Sequence, residues 1–101
     1  MGQGNFVTTA VALPAATSKA VLPPANDRNY LLIQNTGTNP LTISFGSANT
    51  VAGAGISLDG ATAANGEGGT IIWDSAMGGT VPQNSIHAIS TLGSTIVAVE
   101  G

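Results

Sequence analysis

Apolar residues in this chain come in short bursts. Most alternate with polar or small residues, and none repeats at helical spacing with caps at its ends. Gly, Pro, Asn, Asp or Ser interrupts them at intervals of about 8–12 residues, the spacing of an all-β sandwich or barrel. From Phe6 to Leu13, Val7, Thr9, Val11 and Leu13 fall on one face of a strand, until Pro14 stops it. Thr17 to Leu22 is expected as a second short strand, ended by Pro23 and Pro24. Proline cannot donate to a ladder, so this N-terminal quarter belongs at a sheet edge or in an arm. Residues 1–25 are therefore expected as an N-terminal arm or edge segment, and residues 26–101 as the sandwich domain.

The strongest pattern is the pair Asn29 to Asn35 and Leu41 to Phe45. Tyr30, Leu31, Leu32 and Ile33 are continuously apolar, which predicts cover on both faces. Leu41, Ile43 and Phe45 alternate with Thr42 and Ser44, as in a half-buried strand. Thr36 to Pro40 between them forms a short loop in which Gly37 is free to take φ > 0. A hairpin is the expectation.

Gly46 to Gly55 reads as a loop, Ile56 and Leu58 as a short strand, and Asp59 to Gly69 as a second loop. Thr70 to Asp74 is a strand carrying Ile71, Ile72 and Trp73. Ser75 to Gly79 is a turn before a short extended piece, Thr80 to Pro82. Ser85 to Ser90 and Thr95 to Glu100 are expected as a closing pair around Leu92, Gly93 and Ser94. The Ala-rich run from Ala61 to Ala64 lies between Gly60 and Gly66, which limits any helix to about one turn. No fixed-period repeat is present, against a β-solenoid. The fold class is all-β: a single antiparallel β-sandwich, jelly-roll-like, of about eight short strands with an extended N-terminal arm.

Composition adds one anomaly. Of 101 residues only 7% are charged, namely Lys19 and Arg28 against Asp27, Asp59, Glu67, Asp74 and Glu100. An ordinary globular chain carries about 25%. The apolar share is 43% but only 4% is aromatic, and there are 14 Gly and no Cys. Two cations and a net charge of -3 do not supply the phosphate contacts that nucleic acid requires. No apolar run approaches the roughly 18 residues of a membrane helix. Met1 to Asn5 lacks the basic and apolar regions of a signal peptide, so none is expected. The absence of Cys removes disulfides and thiolate metal sites. Disorder is a poor fit, because it pairs low hydrophobicity with high net charge. A surface so poor in charge has two readings: a monomer solvated by Thr, Ser and Asn, or a protein packed against other proteins, since interface cores are depleted of charge.

Candidate chemistry is sparse. His87 is the only histidine, with Ser85 and Ser90 nearby in sequence and Asp59 and Asp74 elsewhere. A hydrolase triad needs base and nucleophile in hydrogen-bond reach, and no nucleophile elbow is present. Strand alternation points His87 opposite to Ile86, outward or into an interface. Asp59, Glu67 and Asp74 do not form a calcium loop, and five scattered acids do not define a glycosidase pair. Gly53 to Gly55 and Gly66 to Gly69 match neither phosphate-binding nor dinucleotide-binding glycine motifs and read as flexible loops. No catalytic residue, metal ligand or cofactor site is expected. Trp73 and Tyr30 are the two candidates for a sugar-stacking platform, against a core-packing reading for each. Arg28, beside Asp27, has two readings: a partner for an acid of its own domain or of a neighbour, or an exposed pair contributing about 0–1 kcal/mol.

The stretch from Asn26 to Gly46 is similar to segments in small structural proteins of tailed bacteriophages. It has an Arg (Arg28) before an apolar strand, then Ile33, Gln34, Asn35, Thr36 and Gly37, then an alternating strand closing on Phe45 and Gly46. Val81 to Ser90 and Val97 to Gly101 also resemble that group. The resemblance spans about three-quarters of the chain, and residues 1–25 carry none of it. It implies a β-sandwich virion component: a head decoration or cement protein on the capsid surface. Such a protein forms homodimers or homotrimers and bridges copies of the major capsid protein. The resemblance implies no catalytic residues. The alternative is a small sandwich on a phage tail or head fibre that recognises host-surface glycans. The two readings differ on whether Trp73 and Tyr30 stand side by side on an exposed face.

Overall fold

The computed structural model describes residues 6–25, 28–46, 55–63, 66–75 and 81–101. Among the described residues there are eight strands: β1 (Val7–Leu13), β2 (Lys19–Leu22), β3 (Tyr30–Asn35), β4 (Leu41–Phe45), β5 (Ile56–Leu58), β6 (Thr70–Asp74), β7 (Ile86–Ile89) and β8 (Ser94–Glu100). They form two four-stranded sheets, ordered β1-β8-β3-β6 and β2-β7-β4-β5. All strand pairings are antiparallel. The all-β, antiparallel sandwich expected from the spacing of apolar bursts is the architecture found.

The strands pair 1 with 8, 2 with 7, 3 with 6 and 4 with 5, alternately in one sheet and the other. Six of the seven connections therefore cross between sheets, and only β4–β5 joins neighbours of one sheet. This corrects the two pairings expected from local pattern. Tyr30–Asn35 and Leu41–Phe45 are not a hairpin, because β3 lies between β8 and β6 while β4 lies between β7 and β5. Likewise β7 and β8 belong to different sheets. In both cases the chain arches over, so that the apolar faces of its two arms look at each other across the core. Leu31 and Ile33 oppose the sheet that holds Leu41 and Ile43, and all four are almost or wholly inaccessible. A short loop with Gly and Pro serves an arch as well as it serves a hairpin. What decides is that each arm already has two strand partners elsewhere.

Alternation supplies the core. Leu13, Leu31, Ile33, Ile96 and Ala98 come from one sheet, and Val21, Leu22, Leu41, Ile43, Leu58, Ile86 and Ala88 from the other. Trp73 and Phe45 pack on the margin of this aliphatic core, edge to face with centroids 5.5 Å apart. Within β3 the expected double cover is unequal: Leu31, Ile33 and Asn35 are buried, while Tyr30, Leu32 and Gln34 are half-buried on the outer side. Over Thr80 to Pro82, Thr80 lies outside the described residues. Val81 and Pro82 are not in a strand, although Val81 is buried in the core.

The N-terminal quarter takes the edge position. β1 pairs with β8 over seven consecutive residues without a register shift, and β2 is the edge of the second sheet. Leu13, Val21 and Leu22 are part of the core, so residues 7–22 are integral to the sandwich and do not form a detached arm. The chain passes from β1 to β2 through Ala16, which has φ 55° and donates its N–H to the Ser90 carbonyl at 2.8 Å. An L-residue in this region bears a cost of about 1–2 kcal/mol. Glycine removes that cost but adds about 0.4–1 kcal/mol of unfolded-state entropy. Ala16→Gly is thus expected to stabilise the fold by about 0.5–1 kcal/mol, read as a rise in denaturant midpoint at constant m-value.

Candidate functional site

The polar side chains buried in this molecule hold it together. Arg28 stands just ahead of β3 with its side chain wholly inaccessible. Its Nε donates to Glu100 Oε1 at 3.0 Å, Nη1 to the carbonyls of Pro82 and Asn84 at 2.7 and 3.3 Å, and Nη2 to the Pro23 carbonyl at 3.0 Å. One guanidinium thus ties the end of β2, the approach to β7 and the end of β8 to the start of β3. The planar fork suits this task, because it presents donors in several fixed directions at once. Of the two sequence readings, pairing within the domain is the one observed. The exposed-pair reading is overturned, since three backbone carbonyls must be satisfied here and an exposed guanidinium would leave them unpaired. Asp27 lies outside the described residues.

Asn35, at the other end of β3, is also wholly inaccessible. Its amide nitrogen donates to the carbonyls of Asn39 (2.8 Å) and Leu58 (3.2 Å). Its amide oxygen accepts from the Gly37 N–H (3.0 Å) and the Ser94 hydroxyl (2.7 Å). Around it the β3–β4 arch is stitched to the β7–β8 arch: Asn39 donates to the Gly93 carbonyl and Ser90 to the Pro40 carbonyl. Gly37 has to be glycine, because a Cβ there would run into Ser94 and sit 2.7 Å from the Thr95 amide nitrogen. The motif residues Arg28, Asn35 and Gly37 are therefore the polar locks at the two ends of the central strand.

The remaining candidates do not converge. His87 points outward and is half-buried, as alternation required, with Nε2 3.2 Å from Ser85 Oγ. Ser90 points the other way, into the sandwich, where its hydroxyl is engaged by Pro40. Asp74 occupies the outer register of the opposite sheet, and Asp59 and Glu67 are exposed in the connection between β5 and β6. Among the described residues no group of three or more His, Cys, Asp or Glu is placed to hold a metal. Gly68 and Gly69 are not a loose loop: Gly68 N–H donates to the Asn35 carbonyl and Gly69 accepts from Asn35 N–H. Gly53 and Ala54 lie outside the described residues.

Tyr30 and Trp73 stand on opposite faces of one sheet. Leu31 pairs with Trp73 on the core side, while Tyr30 pairs with Asp74 on the outer side. Tyr30 instead meets Phe6 edge to face at 5.3 Å. The two rings therefore do not share a stacking platform.

What is left is a surface. The outer face of β1-β8-β3-β6 follows from the pairing register. One row across it runs Thr8, Val99, Leu32 and Ile72, and the next runs Ala10, Val97, Gln34 and Thr70. Ile72 is 53% exposed and Phe6, at one corner, 57%. Asp74 is the one charged residue among the described positions of this face. The outer face of the other sheet is more polar, with rows Ala20, His87, Ser44 and Ile89, Thr42, Ser57. At about 3.4 Å per residue and 4.8 Å per strand, the first face covers on the order of 450 Å² in plan. Leu32, Ile72, Val97, Val99 and Ala10 supply the apolar part of it, interspersed with Thr8, Gln34 and Thr70. No known protein-family model, curated protein or solved structure matches the chain.

Proposed function

We propose that the chain is a structural virion protein. In this reading it acts as a homo-oligomer that decorates and stabilises the outer surface of a tailed-phage capsid by bridging major capsid proteins. One observation carries this reading: a four-stranded sheet turns an almost uncharged face of Leu32, Ile72, Val97, Val99 and Ala10 outward, while the buried polar groups are spent on internal locks. A face of this composition suits a protein neighbour better than a small ligand, since ligand sites carry a few convergent polar groups and the polar Gln34 and Thr70 here are bonded to each other. The strand order, with pairs 1–8, 2–7, 3–6 and 4–5 wound across two sheets, supports reading the sandwich as a jelly roll, an architecture common in capsid proteins. The chain works by burial, not turnover: stabilisation scales at about 25 cal/mol per Å² of apolar surface covered, less the cost of association.

The test is binding to expanded capsids lacking the protein. Purified chain is expected to bind at many symmetric sites and to raise the temperature at which particles break. Ile72 is half-exposed, so its further burial is worth about 1 kcal/mol, and a lysine there adds a desolvation cost. Ile72→Lys should thus fold normally and bind capsids at least about tenfold more weakly. Binding indistinguishable from wild type would remove this face from the account, and copurification with tails in a few copies per particle would overturn the reading itself.

A further inference from the structure

We infer that β1 is a self-pairing edge: two copies of the chain join antiparallel through Val7–Leu13, across a two-fold axis at Ala10, into one continuous eight-stranded sheet. A sheet edge displays unpaired N–H and C=O groups, and proteins blunt such edges with charge, proline, bulges or short strands. Among the described residues three of the four edges are blunted. β2 has only four residues, carries Lys19 and has a register shift between Ala20 and Leu22. β5 has three residues. β6 ends in Asp74. β1 has no charge, no shift and no such brevity: it is seven residues long, VTTAVAL, its ladder to β8 runs without a shift, and its proline, Pro14, comes only after the strand has ended. About half of its residues direct their N–H and C=O away from β8, toward the open side of the sheet.

The occupant that fits is a second copy. An antiparallel pair centred on Ala10 sets Thr8 opposite the second copy's Ala12, Thr9 opposite its Val11, and Val7 opposite its Leu13. No charge meets a like charge in any of these pairs. Small residues (Thr8, Ala10, Ala12) fall on the outer face, where bulk or charge would oppose close approach. The result has eight strands, within the span that twisted open sheets reach, and it doubles the outer face, whose one charge per chain among the described residues is Asp74. Pairing along about 24 Å of edge lies at the low end of interface sizes, so the dimer is expected to be concentration-dependent. This inference does not depend on the capsid reading, because it concerns the free protein.

Sedimentation and native mass spectrometry of the full chain, from micromolar to millimolar concentration, test it. Wild type should pass from one to two chains, with amide exchange in β1 slowing in step. Ala10→Lys places two cations face to face across the axis and should leave a folded monomer, checked by an unchanged thermal midpoint at low concentration. A charge exchange tests the register. Thr8→Lys with Ala12→Lys in one chain, and Thr8→Glu with Ala12→Glu in another, should each be monomeric alone and form a heterodimer when mixed. Ile72→Lys, on the same outer face but at the far edge, should dimerise like wild type. A wild type that is monomeric throughout overturns the proposal. So does a dimer that survives Ala10→Lys, a mixture that does not associate, or a dimer lost in Ile72→Lys.

Discussion

Arg28→Met is expected to destabilise the fold by about 3–5 kcal/mol, the range for removing one partner of a buried ion pair. Methionine fills most of the volume but donates nothing. The carbonyls of Pro23, Pro82 and Asn84 and the Glu100 carboxylate would then face one another with no proton between them. Domains of this size are stable by only about 5–15 kcal/mol. A midpoint drop on the order of 15–25 °C follows. Arg28→Lys should recover only part of the loss, because one ammonium cannot span acceptors set around a planar fork. Glu100→Gln should cost far less, since the Glu100 side chain remains 22% exposed and the amide oxygen still accepts from Nε. Thermal and denaturant melts of the three variants check the ordering. An Arg28→Met protein within about 1 kcal/mol of wild type would mean that packing alone holds this end of the sandwich.

The second large effect is expected at Asn35. Asn35→Asp changes one atom in a wholly buried side chain. Where the amide nitrogen gave hydrogen bonds to the Asn39 and Leu58 carbonyls, a carboxylate oxygen would confront both. Burying that charge without a counter-ion is costly, and a loss on the order of 4 kcal/mol is expected, in the class of broken buried networks. Asn35→Leu avoids the charge but strands the Gly37 N–H and the Ser94 hydroxyl as well as both carbonyls, at about 1–3 kcal/mol per unsatisfied group before relaxation. Amide exchange should locate the damage: Gly37 and the strands meeting at the two arches should lose protection before the Arg28 end does. Uniform loss along the sandwich would contradict the assignment of Asn35 as the lock of that end.

The strands themselves were legible in the sequence, because period-two alternation is set by burial of one face. Leu41, Ile43 and Phe45, or Ile96 and Ala98, announce themselves whichever sheet they join. Their partners were not legible. Alternation says which way Leu31 points and nothing about whether β4 lies beside it or across from it, and here a turn rule for hairpins meets an arch. β1 was readable as an edge from Pro14, but its contribution of Leu13 to the core depends on β8, more than eighty residues away in sequence. The locks divide in the same way. Arg28 stood out as one of two cations, yet its burial depends on the Pro82 and Asn84 carbonyls and the Glu100 carboxylate, more than fifty residues away, which no local pattern reveals. Asn35 had no signal beyond its place in the Asn35, Thr36, Gly37 run. The outward face of Leu32, Ile72, Val97 and Val99 was legible only as a shortage of charge, because each valine or isoleucine in a strand reads as core until the register assigns its side.

That shortage of charge makes the central claim about where the chain sits, and a reconstruction of intact particles at a resolution that traces the sheets tests it most directly. The account predicts symmetric density over the whole shell, with Leu32 and Ile72 turned against the major capsid protein and the His87 face toward solvent. Density confined to a few copies at the tail, or a shell-bound chain whose Leu32–Ile72 face is open to water, would contradict it.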